Sequence, residues 1–250
     1  MGRATSVLTP RYAAFAALVV ALAAYYAASE SLWNASLWWD VVWLAAVVIP
    51  AVFGVVWFLL PFWHARGLAL VAGAFAVLTV LLSLADLGAL ANFSKLVTMT
   101  LVGFWFLTFF ESVLWVALVA AAIPVVDALS VWRGPTRHIV DEEPEVFTTL
   151  SFAFRIPGEE ETANLGLPDL LFFALFLAAA ARFGLRPAWT WVAMAASFGL
   201  TIILTVAFDV VGLPALPLLS LAFLLVNADL LWRAIKRREW GLAAGSGTRR

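Results

Sequence analysis

Long apolar runs recur along this chain, and no other feature limits its folding so strongly. A run of roughly 17 to 25 apolar residues is the length that crosses a bilayer as a helix. Such runs lie near residues 12 to 28, 41 to 62, 68 to 87, 96 to 110, 112 to 132, 166 to 182, 188 to 208 and 214 to 232. Backbone N–H and C=O groups in hydrocarbon find no water, so each must be bonded inside its own segment, and the runs are read as helices rather than strands. The expectation is an all-α, polytopic transmembrane bundle of eight spans, or nine if the N-terminal half conceals one. Two divisions stay open: Pro50, where a run could fold back on itself, and Glu111, where two spans meet almost without a loop. The run from Tyr12 to Ala28 follows Arg3 and Arg11, a layout shared with cleaved signal peptides, and its length is near the lower limit for a span.

Composition agrees that water is not the main solvent: 64% of residues are hydrophobic and 12% charged, with a mean hydropathy of +1.00. A net charge of −1 offers no basic surface for nucleic acid. The chain has no cysteine, which excludes disulfides, Cys-ligated metals and thiol nucleophiles. No metal or cofactor is expected. Among the 13 tryptophans, Trp63, Trp132, Trp189, Trp191 and Trp232 fall near predicted span ends, where indole rings anchor at the headgroups.

Charge placement suggests an orientation. With eight spans and a cytoplasmic N-terminus, Arg3, Arg11, Arg66, Arg182, Arg186, Arg233, Lys236, Arg237, Arg238, Arg249 and Arg250 lie inside. Only Lys95, Arg133, Arg137 and Arg155 lie outside. The positive-inside rule then favours a cytoplasmic C-terminus and an external loop between the fifth and sixth runs. The expected setting is a prokaryotic plasma membrane, judged from compactness and the lack of targeting signals. Three regions follow: N-terminal membrane helices over 1–111; a second helical unit over 112–232 that includes a polar loop at 133–164; and a basic tail over 233–250.

The loop carries Asp141, Glu142, Glu143, Glu145, Glu159, Glu160 and Glu161. Between the two acid clusters, Val146 to Ile156 is rich in β-branched and aromatic residues and stops at Pro157-Gly158, which reads as one short strand. A disordered acidic loop is the competing reading.

An ionisable residue inside a span costs about 2.5–3.5 kcal/mol on insertion scales, so each needs a reason. Asp127 lies five residues before Trp132, and Asp169 five residues after Asn164. At 1.5 Å per residue both sit roughly 7–8 Å inside their helix ends, on the same side of the membrane. Two consecutive antiparallel helices can therefore bring the carboxyl groups face to face. Such a pair does not readily ionise twice in a low dielectric, and it holds one proton over a range of pH. It is then an acid and a base together, able to activate water against a carbonyl without metal or cofactor.

The neighbouring residues carry a family resemblance. Gly166-Leu167-Pro168-Asp169 is similar to the GxGD motif of the presenilin and signal peptide peptidase family of intramembrane aspartyl proteases. Val126-Asp127, followed by Trp132-Arg133-Gly134-Pro135, resembles that family's Tyr-Asp helix and its Gly-Pro exit, and Pro214-Ala215-Leu216 resembles its Pro-Ala-Leu motif. The order of the three elements is the family's, and they cover about half the chain, 112–232. The resemblance implies a presenilin-like arrangement in the C-terminal half and Asp127 and Asp169 as catalytic aspartates. It implies a close-packing or flexible role for Gly166, next to Leu167 and Pro168, and a supporting role for Pro214, Ala215 and Leu216. The substrates it implies are transmembrane segments or signal peptides, in the bilayer. The loop side chosen by the charges matches the signal-peptide-peptidase branch. Two positions depart from the pattern: Pro168 stands for the second glycine and Val126 for the tyrosine. Proline suits a first helical turn, where its missing N–H has no intrahelical partner. An extended substrate could regain its lost backbone hydrogen bonds on the loop strand, at Thr149, Leu150, Ser151 and Phe152.

Other acids have plainer explanations. Asp86 and Asp209 lie near predicted outer ends and Glu111 in a turn, where water solvates them. Asp229 is placed to pair with Arg233 one turn on, and Asn227 to bond across helices. His64 and His138 lie at span ends. No HExxH pair occurs, and Gly245-Ser246-Gly247 falls in a polar tail unsuited to a buried nucleophile. Prepilin peptidases share a GxGD aspartate but leave Pro-Ala-Leu unexplained. The alternatives from other classes are a proton-coupled transporter relaying protons through the two aspartates, and an inactive presenilin-like homologue that binds membrane helices.

Overall fold

The computed structural model describes residues 4–133, 150–210 and 213–236, with side chains over 10–127, 150–210 and 213–236. Thr149, the acids Asp141 to Glu145 and the tail beyond Lys236 lie outside the described residues.

The described chain is mostly helical. α1 spans Ala4–Ala28. α2 (Leu37–Trp43) runs through a π-helical turn at Leu44–Val48 into α3 (Ile49–Leu59), giving one continuous helix over Leu37–Phe62. Pro50 does not fold it back. Its ring and missing N–H are accommodated because the wider π-turn just before it has already broken the regular ladder. α4 (Leu68–Leu84) and α5 (Gly88–Phe106) form a tight antiparallel pair, followed by α6 (Val113–Arg133). Strands β1 (Ser151–Arg155) and β2 (Thr162–Gly166) form an antiparallel hairpin. α7 (Leu167–Arg182), α8 (Pro187–Ala207) and α9 (Leu216–Val226) complete the bundle, with a helical segment Ala228–Lys236 after α9.

Each of the eight apolar runs is helical, but eight spans is a miscount. Among the described residues, four helices are long and apolar enough to cross a membrane: Pro10–Ser31, Leu37–Phe62, Gly88–Phe109 and Pro187–Ala207. A fifth is reached if Leu216–Val226 and Ala228–Lys236 act together, although they meet at 66°. For two of the remaining runs the shortfall is one of length: α4 has 17 residues and α7 has 16, so at 1.5 Å per residue they reach about 24–26 Å, against a hydrocarbon core of about 30 Å.

α7 is the central helix. Leu170 and the unbroken run Phe173–Ala180 are buried on every side, as expected of a helix enclosed by α5, α8, α9 and α6. Stacked rings lock it in place: Phe173 lies 4.1 Å from Phe53, which stacks on Phe198 at 4.9 Å, and Phe176 lies 4.7 Å from Phe223. Because lipid tails are as apolar as these side chains, close packing rather than water exclusion holds such contacts together. Gly103 of α5 is the tightest point, since a Cβ there would meet the Leu171 carbonyl oxygen at 2.6 Å.

Helix ends explain three polar residues. Asp86 and Asp209 have φ of 58° and 49°. Each follows a helix whose C-terminal carbonyls are taken by the next N–H groups, Leu87 to Leu82 and Val210 to Thr205, which is the Schellman arrangement. They are helix stops, and they are exposed as expected. Asn227 breaks the last helix: its Oδ1 accepts from the Arg186 backbone N–H, while its Nδ2 donates to Thr190 Oγ1 and to the Phe223 carbonyl. Asp229 meets Arg233 one turn on at 3.9 Å, as expected, and the bend also turns it toward the start of α8, where the Arg186 guanidinium pairs with it at 2.7 and 2.9 Å. Trp191 faces inward and donates its indole N–H to the Phe53 carbonyl.

Candidate active site: Asp127, Asp169 and the hairpin

The hairpin leads directly into the helix that carries Asp169. Gly166 is both the last residue of β2 and the N-cap of α7, so Leu167, Pro168 and Asp169 fill the first helical turn. Pro168 is accepted there for the reason its sequence position suggests. Asp169 reaches back so that the Gly166 N–H hydrogen-bonds to its carboxylate. This is the return half of a capping box. A negative side chain at this end also meets the positive pole of the helix.

Gly166 has an ordinary φ of −59° and ψ of 143°. Its requirement is steric, since a Cβ would stand 3.0 Å from Asp169 Oδ2. Of the close-packing and flexible roles, the geometry is that of close packing.

Asp127 lies on α6, which touches α7, and its carboxyl group is near enough to Asp169 for the two to interact electrostatically. Both side chains are half-buried. Pro214 precedes α9, and Ala215 and Leu216 are buried at its start; α9 packs against α6, α8 and α7. The three sequence motifs therefore occupy mutually contacting helices. Two carboxyl groups that share one proton can exchange it with a bound water or carbonyl. The same contacts also have a purely structural use, because an aspartate at this helical position stabilises α7 whether or not it reacts.

The loop strand differs from its sequence reading. Leu150 lies in the turn before β1, while Ser151 and Phe152 are in the strand and buried. A second strand, Thr162–Gly166, escaped notice because Thr-Ala-Asn-Leu-Gly lacks the β-branched and aromatic density that marked the first. The outer edge of β1 is already occupied. Lys95 Nζ donates to the Ser151 carbonyl at 3.1 Å, Asn92 Nδ2 and Tyr26 Oη donate to that of Ala153 at 2.8 Å each, and Tyr25 Oη donates to that of Arg155 at 2.6 Å. The Ala153 N–H in turn donates to Asn92 Oδ1 at 2.9 Å. Ala153 faces Asn164 across the hairpin. Since the backbone groups of Ala153 point outward, those of Asn164 point outward on the other side, and the described residues supply them no partner.

Asn92, Tyr25 and Tyr26 were not visible as site residues in the sequence. The available signal for Asn92 was its place one turn before Lys95 in an apolar run, two polar residues on one face of α5. Asp40 was also missed: it is buried near the start of α2, its Oδ1 has no hydrogen-bond partner among the described residues, and its place at the edge of an apolar run hides it from hydropathy.

Comparison of the chain with protein-family models and with curated proteins finds no match. Any functional reading must come from the residues and their geometry.

Proposed function

We propose that the chain is an intramembrane aspartyl protease of the presenilin and signal-peptide-peptidase type, hydrolysing peptide bonds in transmembrane segments or signal peptides. The observation that carries this reading is the electrostatic contact of Asp127 and Asp169 on neighbouring helices within an apolar bundle. In the proposed reaction the ionised carboxyl takes a proton from water as the oxygen attacks the scissile carbonyl carbon. The protonated partner gives its proton to the carbonyl oxygen. The pair then gives its one proton to the amide nitrogen, the C–N bond breaks as one diol hydroxyl becomes the new carbonyl and passes its proton to a carboxylate, and the pair is left with one proton as it began.

Backbone geometry supports a refined view of substrate capture. A helical substrate must unwind before attack, and the outward N–H and C=O of Asn164 offer its extended form a strand edge. That edge belongs to β2, which ends at Gly166 beside Asp169. β1, whose outer groups are bonded to α1 and α5, has no room for this role. The placement of Lys and Arg supports a cytoplasmic C-terminus and a site nearer the opposite face.

The test is cleavage of a labelled transmembrane peptide by the purified protein in bicelles, with Asp127→Asn and Asp169→Asn as controls. Both substitutions keep size and remove the acid–base pair, so each should abolish product. Asparagine at 169 still has an oxygen for the Gly166 N–H, so a merely structural aspartate would be replaced without loss. Intact peptide with folded protein, or product from both variants, would sink the proposal.

A further inference from the structure

The side chains along the outer edge of β1 form a pattern too complete to be incidental packing. In an antiparallel hairpin, alternate residues of each strand direct their backbone groups away from the partner strand. In β1 these are Ser151, Ala153 and Arg155, and each has its carbonyl bonded by a side chain from α1 or α5. Ala153 is the centre of the pattern. Asn92 bonds both its N–H and its C=O. A carboxamide carries the same donor and acceptor as a peptide unit, so Asn92 stands where a third strand would pair. Asn92 is itself buried in a helix that is long and apolar enough to span the membrane, where an unpaired amide would be costly.

The clamp connects to the carboxyl pair by short steps. Ala153 lies in the ladder that pairs Ser151 with Gly166. Gly166 hydrogen-bonds to Asp169. At the far end of the hairpin, the Gly158 N–H donates to the Ser29 carbonyl at 2.8 Å, and Arg155 meets Glu30 at 2.8 Å. The hairpin is thus fixed along β1 and at its turn by elements from the first half of the chain, while in β2 the outward N–H and C=O of Asn164 have no partner among the described residues.

We propose that Asn92, seconded by Tyr25 and Tyr26, is a positioning residue: it acts as a surrogate strand that fixes the hairpin, so that a substrate paired with β2 presents one particular bond to Asp127 and Asp169. This inference rests on the protease reading above. It assigns no chemistry to Asn92, which acts through the backbone of Ala153.

The experiment uses the full chain in bicelles with the labelled transmembrane peptide, and maps every cleaved bond by mass spectrometry. Asn92→Ala should lower kcat per folded molecule by about tenfold or more, as expected for small misplacements of reacting groups. KM should stay near its parental value, and cleavage should spread to neighbouring bonds. Tyr26→Phe, which removes one hydroxyl and leaves Asn92 in place, should spread cleavage in the same way with a smaller fall in kcat, and it serves if Asn92→Ala fails to fold. A residue that only supports folding would reduce the yield of folded protein without moving the cleaved bond. If the parent cleaves and the folded variants cut the same bond at the parental rate, the positioning role is overturned and the aspartate pair stands. If the parent does not cleave, both proposals fall.

Discussion

Substituting Gly103 by alanine tests how strictly the central helix is placed. A Cβ at this position would lie 2.6 Å from the Leu171 carbonyl oxygen, 2.9 Å from Ala174 Cβ and 3.1 Å from the Leu175 nitrogen. None of these belongs to the flexible end of a side chain, so α7 itself must move. An ordinary C–H···O approach of about 3.3–3.6 Å requires α5 and α7 to separate locally by roughly 0.7–1 Å. Overpacking of this kind costs about 1–3 kcal/mol. Alanine also gains about 0.8–1 kcal/mol over glycine in helix propensity, so the proper comparison is Gly73→Ala, which makes the same change in α4 with nothing within 4 Å of the new atom. Thermal unfolding of both variants in one detergent should place Gly103→Ala below Gly73→Ala by a shift corresponding to about 1–3 kcal/mol, or roughly 2–12 °C for a chain of this size. Leu171 is two residues beyond Asp169, so the displacement should also reach the site and lower peptide cleavage by up to about 100-fold. Equal melting temperatures and equal activity for the two variants would refute the close contact and the coupling drawn from it.

Two further outcomes follow from the same geometry. Gly166→Ala places a Cβ 3.0 Å from Asp169 Oδ2 in a conformation alanine adopts freely; cleavage should fall by roughly 10- to 100-fold while the melting temperature changes little, and parental activity would show that Gly166 does not constrain the carboxyl. Asn227→Ala strips the Arg186 N–H and Thr190 Oγ1 of a buried partner, which should cost about 1–3 kcal/mol for each group left unsatisfied. Thermal unfolding measures that loss, and an unchanged transition would mean water replaces the amide at the bend.

The helices were legible because hydropathy and length are local properties. Every apolar run is a helix, and Asp127, Gly166, Pro168 and Asp169 could be singled out as expensive or conformationally marked residues in the wrong solvent. The number of spans was not legible in the same way. Hydropathy cannot distinguish a lipid-facing helix from one enclosed by protein, and α7 is apolar all round because other helices surround it. Nor can it see the break at Asn227, which depends on Thr190 and on the backbone of Arg186, about 40 residues away in sequence.

The hairpin divides along the same line. β-branched and aromatic density marked β1, whereas β2 is a strand because β1 is there to pair with it. The partners of β1 come from α1 and α5, more than 50 residues earlier, and no local pattern announces that Asn92 will meet Ala153. By itself the sequence determined a chain of long apolar helices and marked two aspartates within its apolar runs, whereas the expected depth of Asp169 changed, because α7 starts only at Leu167 and holds it in the first turn. Tertiary structure decided which helices are long enough to cross, that Asp169 is held by Gly166, and that the outer edge of β1 is bonded to α1 and α5. Those outcomes depend on distances between atoms far apart in the chain, and only packing sets them.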